Sequence, residues 1–190
     1  MKEKEIIVGV TGCIAAYKTC EVVRLLKKKN VNITVVMTKE ATEFVTPLTF
    51  QTLSANPVII DMFKVPEQWD PTHISLADRA NLVVVVPATA NIMARFATGT
   101  CDDILSCLLI ATRAPIIICP AMNEKMYLHP AVQGNLEILK KRGVRIIPPV
   151  RGKLACGYEG IGHLAPVEEI IKEIEKIILI NPKSETLNSK

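Results

Sequence analysis

Five short runs of apolar, mostly β-branched residues, at 6–10, 33–37, 82–86, 115–119 and 144–147, alternate with segments long enough to be helices. The runs are apolar throughout rather than every second residue, which is the pattern of strands buried on both faces. Between them, 15–29 carries Val22, Val23, Leu25 and Leu26 on one side and ends in Lys27, Lys28 and Lys29, where the helix dipole favours cations; Asn30 stops it. Segment 130–142 reads as a second clear helix. In 167–179, Ile170, Ile171, Ile174, Ile177 and Ile178 recur at helical spacing, and that face must cover apolar surface, within the subunit or at a contact. Strand alternating with helix predicts an α/β fold, a three-layer doubly wound parallel sheet.

Composition narrows the class. A chain of 190 residues that is 49% hydrophobic makes one domain with a full core, expected over 1–180, and leaves 181–190 as a polar tail or the start of a linker. Its 23 Lys and Arg against 19 Asp and Glu give a net charge of only +4, and aromatics are 4%, so neither a nucleic-acid surface nor a base-stacking platform is expected. The six cysteines, at 13, 20, 101, 107, 119 and 156, lack the close pairing of zinc ligands, so no metal is expected. Nothing near Met1 reads as a signal peptide or membrane span, so a cytoplasmic chain with free thiols is expected.

Ligands of doubly wound sheets bind beyond the C-terminal strand ends, so the residues after each run are the ones to inspect. The first such turn, Thr11-Gly12-Cys13-Ile14, lacks both the G-x-G-x-x-G spacing and a Walker lysine, and the second run ends in Thr38 rather than an acid. That leaves a mononucleotide phosphate at the helix start, or a tight turn whose glycines serve packing. Three further features follow strand ends or helix starts: Pro87-Ala88-Thr89-Ala90-Asn91, Pro120-Ala121-Met122-Asn123, and His73 just before a short amphipathic helix. Asn123 could equally be a helix cap. The stretch 148–166 holds four of the nine glycines, three of the twelve prolines and Cys156, and is expected to be an irregular functional loop.

In order and spacing, Gly12 to Lys18, His73, Pro87 to Asn91, Pro120 to Tyr127 and the Cys156 loop resemble the homo-oligomeric flavin-containing cysteine decarboxylases. Within that family they resemble the branch that converts 4′-phosphopantothenoylcysteine to 4′-phosphopantetheine in coenzyme A biosynthesis. The resemblance implies a flavodoxin-like fold, bound FMN, trimers that can assemble into dodecamers with flavin sites at subunit contacts, and a synthetase domain or partner. Three departures stand out: Thr89 and Ile92 where the family segment reads P-A-S-A-N-T, Tyr127 where tryptophan is usual, and Cys13 where glycine or serine is frequent.

The implied chemistry explains the residue types. Direct loss of CO2 from an acylated cysteine would strand a carbanion beside an amide nitrogen, so a cofactor must create the electron sink. Prior oxidation at Cβ gives a thioaldehyde conjugated to the new carbanion; decarboxylation then yields an enethiol, which is reduced back to the thiol. On this reading His73 transfers a proton in the oxidative half, Asn123 donates to the substrate carboxylate, and Cys156 is the acid that completes reduction. Met122, Ala155 and Asn91 are candidate substrate contacts. Gly12, Cys13, Ile14, Thr38, Pro87, Ala88, Thr89 and Asn91 are candidate flavin contacts, with Phe44 either a ring contact or a core residue. Relatives that stop at the enethiol lack the Cys156 motif, so its presence favours full reduction. Cys20, Cys101, Cys107 and Cys119 read as small apolar packing residues. The competing readings are a flavin prenyltransferase, a non-catalytic regulatory flavoprotein and a generic mononucleotide-binding module.

Overall fold

A computed structural model of the chain describes residues 4–63, 72–153, 157 and 159–180. Five parallel strands, β1 (Glu5–Val10), β2 (Asn32–Met37), β3 (Leu82–Ala88), β4 (Ile116–Pro120) and β5 (Arg145–Ile146), form one sheet in the order β2-β1-β3-β4-β5. All five predicted runs are strands, and the last is trimmed to two residues. Because side chains alternate across a strand, Ile6, Val8 and Val10 enter one core while Ile7 enters the other.

The first core lies under α1 (Ala16–Lys27), α2 (Pro47–Ser54) and α8 (Val167–Ile180). Val22, Val23 and Leu26 of α1 meet Ile170, Ile171 and Ile174 of α8, so the isoleucine face packs within the subunit. The second core lies under α3 (Thr72–Arg79), α4 (Ala90–Thr98), α5 (Ile104–Ala111) and α7 (Pro130–Lys141), with Leu76, Met93, Leu105, Leu108 and Leu139 buried against the sheet. A single-turn helix, α6 (Glu124–Tyr127), precedes α7. Asn30 closes the C-terminal end of α1 at φ 55°, the left-handed conformation that asparagine tolerates.

Four expectations change. Within 148–166 the chain is not irregular throughout: β6 (Val150–Lys153) and β7 (Glu159–His163) pair antiparallel as a separate two-stranded sheet. His73 lies inside the first turn of α3 rather than before it. Phe44 is 47% exposed, which removes its reading as a core residue, and Cys101 is exposed rather than packed. Cys119 is fully buried as expected, with Cys20 and Cys107 half-buried.

Candidate functional site

Chain order reverses between β1 and β3, since β1 leads outward to β2 on one side and β3 begins the march to β5 on the other. The crevice beyond the strand ends at such a switch point is where a doubly wound sheet binds its ligand. Thr11 defines its floor. Its hydroxyl donates to the Pro87 carbonyl at 2.7 Å and accepts from the Thr89 N–H at 3.1 Å, pinning the ends of β1 and β3 together. The two hydrogen bonds offset the desolvation of this buried hydroxyl, and they fix where the following turn begins.

The turn that follows comes close to the second strand end. A Cβ added at Gly12 would lie 2.5 Å from Glu40 Cβ and 3.1 Å from the Glu40 carbonyl carbon, so glycine is what lets 11–14 lie against the 3-10 turn Lys39–Glu43. Thr38, buried, caps that turn by accepting from the Ala41 N–H at 3.3 Å. On the far side, the Cys13 thiol donates to the Ala121 carbonyl at 3.4 Å, and burial pushes its pKa up. Cys13 is thus a protonated tie between the turn and the end of β4, not a nucleophile. The helix that follows, α1, has Ala15 as its N-cap with no side-chain cap; the Ala16 and Lys18 N–H groups donate to the Cys13 and Ala15 carbonyls at 2.9 and 3.0 Å, and the positive dipole end favours an anion.

Cavities open on both sides of this turn. One of about 250 Å³ is lined by Thr11, Gly12, Thr38, Thr89, Asn91 and Arg95, among others; it adjoins a cavity of about 200 Å³ that shares Thr38, Glu40, Arg95 and Asp103. Arg95 there is paired with Asp103, and with Asp102 at 3.2 Å. The other cavity, of about 550 Å³, is walled by Cys13, Ile14, Met122, Asn123, Lys18 and His163.

The hairpin builds much of that larger cavity. The Met122 N–H donates to the Gly162 carbonyl at 3.0 Å, and the Glu124 carboxylate accepts from the Ile161 N–H at 2.9 Å, docking β7 along 122–124. Gly162, at φ +140°, approaches so closely that a Cβ would lie 2.1 Å from the Met122 oxygen. Asn123 caps α6, its Oδ1 accepting from the Lys125 N–H at 2.9 Å, so the capping role anticipated for it is real. That bond also orients the amide and makes Nδ2 its donor end.

Most predicted site residues therefore gather at the strand ends. Gly12, Thr38, Thr89 and Asn91 line the smaller cavities, and Cys13, Ile14, Met122 and Asn123 line the larger. Pro87 and Ala88 are buried within β3 and act through the backbone, holding Thr11 and pairing with β4. His73 and Phe44 line none of the three cavities. Ala155 and Cys156 lie outside the described residues, as does the tail 181–190. Sequence reasoning missed the structural work of Thr11, Glu124, Gly160 and Gly162, and gave no role to Lys18, Arg95 or His163. The dense glycines of 157–162 were the one signal that pointed there.

A model of the family described as Flavoprotein matches residues 1–179. The chain belongs to the flavoprotein family. Its relatives include the coenzyme A biosynthesis bifunctional protein CoaBC of Bacillus subtilis (strain 168), 44% identical over 176 residues that span 93% of this chain and 43% of that protein. The protein of the same name from Haemophilus influenzae is 44% identical over 88% of this chain and 42% of its own length. This flavoprotein chain thus spans under half the length of these curated relatives. Among solved structures, a cysteine-to-serine mutant of PPC decarboxylase complexed with pantothenoylaminoethenethiol superposes with a TM-score of 0.83 at 25% identity, covering 94% of this chain and all of that one. The FMN-dependent cysteine decarboxylase SpaF superposes with a TM-score of 0.79 at 28% identity, covering 92% of this chain and 97% of that one.

Membership implies a flavin, and the crevice suits one. The positive end of the α1 dipole favours a phosphate, glycine at 12 permits close approach, and Thr38, Thr89 and Asn91 bring uncharged polar groups to a cavity whose wall also carries Glu40, Arg95 and Asp103. Among the described residues no cluster of His, Cys, Asp and Glu could hold a metal ion, and no helix is long and apolar enough to cross a membrane.

Proposed function

We propose that this chain is an FMN-dependent decarboxylase that converts 4′-phosphopantothenoylcysteine to 4′-phosphopantetheine in coenzyme A biosynthesis, in the cytoplasm. The observation that carries the reading is the convergence of Met122 and Asn123 with Cys13 and Ile14 of the first turn at one cavity, held in place by a hairpin whose connecting segment includes Cys156. Two likenesses support it: the CoaBC relatives span nearly the whole of this chain, and the PPC decarboxylase shares its fold from end to end.

Bound FMN supplies the two-electron sink that makes decarboxylation possible and gives the electrons back. Gly12, Cys13, Ile14, Thr38, Thr89 and Asn91 would hold it, with Pro87 and Ala88 shaping the backbone beneath and Phe44 a ring contact from outside these cavities. The residues of the chain then divide the remaining work. Asn123, oriented by Lys125, donates Nδ2–H to the substrate carboxylate and keeps it in place without a charge that would trap it in the ground state. Met122 and Ala155 flank the substrate. His73 moves the proton of the oxidative half, and Cys156 protonates the enethiol carbon to finish the thiol. His73 is not among the residues that line the cavity holding Asn123, in keeping with a homo-oligomer, a trimer or dodecamer, whose sites are completed across subunit contacts. A synthetase domain or partner accompanies the decarboxylase, in keeping with the bifunctional relatives.

The test is direct. Purified protein should carry, or take up, FMN and show a flavin spectrum; with phosphopantothenoylcysteine it should release CO2 and form the thiol with no net consumption of an oxidant. Cys156→Ser should stop after one round, with oxidised product and reduced flavin, while His73→Asn should keep its yellow colour and release no CO2. Flavin-loaded wild-type protein that releases no CO2 would overturn the proposal.

A further inference from the structure

The strand-end cavities differ sharply in charge. The two that share Thr38 and Arg95 also carry Glu40 and Asp103, and the smaller adds Asp61, Asp102 and Lys39, so carboxylates outnumber cations in both and Arg95 is already engaged by Asp102 and Asp103. The cavity of about 550 Å³ is the reverse: Lys18, Lys153 and His163 line it, and no carboxylate is among its described lining residues. A dianionic group entering this crevice meets repulsion on one side and attraction on the other.

Lys18 is built for the attractive role. It is the third residue of α1, half-buried at the positive end of the helix dipole, and its Nζ lies 3.3 Å from Nε2 of His163. The other ring nitrogen of His163, Nδ1, lies 3.1 Å from the Leu164 carbonyl oxygen. A carbonyl can only accept and an ammonium can only donate, so this geometry requires the proton on Nδ1 and a lone pair on Nε2. His163 is therefore a neutral prop that engages one of the three ammonium N–H groups and fixes where the others can point. Lys153, exposed on β6, adds a second positive charge at the rim. Asn123 lines the same cavity, whose volume is that of a site for a ligand of drug-like size.

We infer that Lys18, propped by His163 and backed by Lys153, binds the phosphate of the substrate and so sets the preference for the phosphorylated acyl-cysteine over its dephosphorylated form. This rests on the decarboxylase reading above and deepens it: Asn123 holds the carboxylate end, and the α1 lysine holds the other anionic end of the same molecule. Lysine suits the task because its ammonium is a compact charge with rotatable donors, able to follow a terminal phosphate on a flexible chain.

The experiment compares 4′-phosphopantothenoylcysteine with pantothenoylcysteine as substrates of the flavin-loaded enzyme, and 4′-phosphopantetheine with pantetheine as competitive inhibitors. Lys18→Met keeps the stem and removes the charge, and Lys18→Arg restores it. The expected result is that Lys18→Met lowers the ratio of kcat/KM between phosphorylated and dephosphorylated substrate by about ten- to hundredfold, the range for a hydrogen bond to a charged group. The two inhibitors should converge in affinity, Lys18→Arg should recover most of the ratio, and His163→Phe should lower it by a smaller factor. An unchanged ratio in Lys18→Met, or a loss falling equally on both substrates, would overturn the inference. Loss of flavin from Lys18→Met at equal protein concentration would assign the cluster to the cofactor phosphate and overturn it as well. Failure of the wild-type enzyme to release CO2 from either substrate would instead defeat the decarboxylase reading itself, so the two failures are told apart.

Discussion

Gly162→Ala should uncouple the hairpin from the site while leaving the main sheet folded. The added Cβ would stand 2.1 Å from the Met122 carbonyl oxygen and 3.2 Å from its carbon, against a backbone that cannot rotate away as a side chain can. Non-bonded contacts to carbon settle near ~3.5 Å, so β7 and 122–124 must part by roughly an ångström. The Met122 N–H···O=C Gly162 bond, now 3.0 Å, does not survive that displacement. Losing it costs about 1 kcal/mol. Holding an alanine at φ +140° adds about 1–3 kcal/mol. The docked state therefore loses about 2–4 kcal/mol, a factor of roughly 30 to 1,000 in its population relative to the undocked one.

Hydrogen exchange read at single amides measures this. In Gly162→Ala both docking donors, Met122 N–H and Ile161 N–H, should exchange faster by up to that factor, while amides of β1 and β3 keep their protection. Decarboxylase activity should fall in parallel because Met122 and Asn123 lose their support. Gly160→Ala supplies the control: the atoms nearest its Cβ would be the carboxyl end of Glu124, at 2.8–2.9 Å, which can swing aside. That movement sacrifices the Glu124 bond to Ile161 and should speed exchange there with little change at Met122. Wild-type exchange at Met122 in Gly162→Ala would refute the docking argument.

Three further outcomes follow from the same geometry. Gly12→Ala presses on the Glu40 Cβ and backbone and should cost about 1–3 kcal/mol in urea denaturation, together with at least tenfold in FMN affinity by fluorescence titration; unchanged affinity would place the flavin away from this turn. In thiol labelling followed by peptide mapping at neutral pH, exposed Cys101 should react before Cys13 and Cys20, whose thiols burial pushes upward, and Cys119 should react only on unfolding. The Glu173 carboxyl is held below its ordinary range, first by the hydrogen bond from Lys176 and then by the charge of Arg145 on β5. A depressed folded pKa stabilises above the unfolded value, near ~4.3, and that contribution vanishes as pH falls through the folded value. Glu173→Gln should thus cost no more than about 1 kcal/mol at pH 7 and progressively less in acid, and a penalty independent of pH would refute the ion-pair explanation.

The sheet and its layers were legible because each strand is apolar on both faces, a pattern that depends on nothing outside the run itself. The first turn was legible for a related reason: a strand end, Gly12 and a helix start are adjacent in sequence, so the anion-binding geometry is local. What the sequence concealed are contacts between segments far apart in the chain. Thr11 joins β1 to β3 across more than seventy residues through two hydrogen bonds, yet as a lone threonine after a strand it has no distinguishing pattern. Gly160 and Gly162 were visible as glycines, but density alone suggested an irregular loop. The demand they meet is a close approach of β7 to 122–124, and it exists only once the hairpin is folded against that segment. Lys18 shows the same limit from the side of charge. On a helical projection it is one more surface cation. It acquires a direction only because His163, 145 residues away, turns a lone pair toward it, and because the neighbouring cavities keep their carboxylates on the other side of the turn. Specificity in this fold is therefore written at the strand ends by residues whose types are ordinary and whose meeting is not, which is why substitutions at Lys18 and Gly162 probe it more sharply than substitutions in either core.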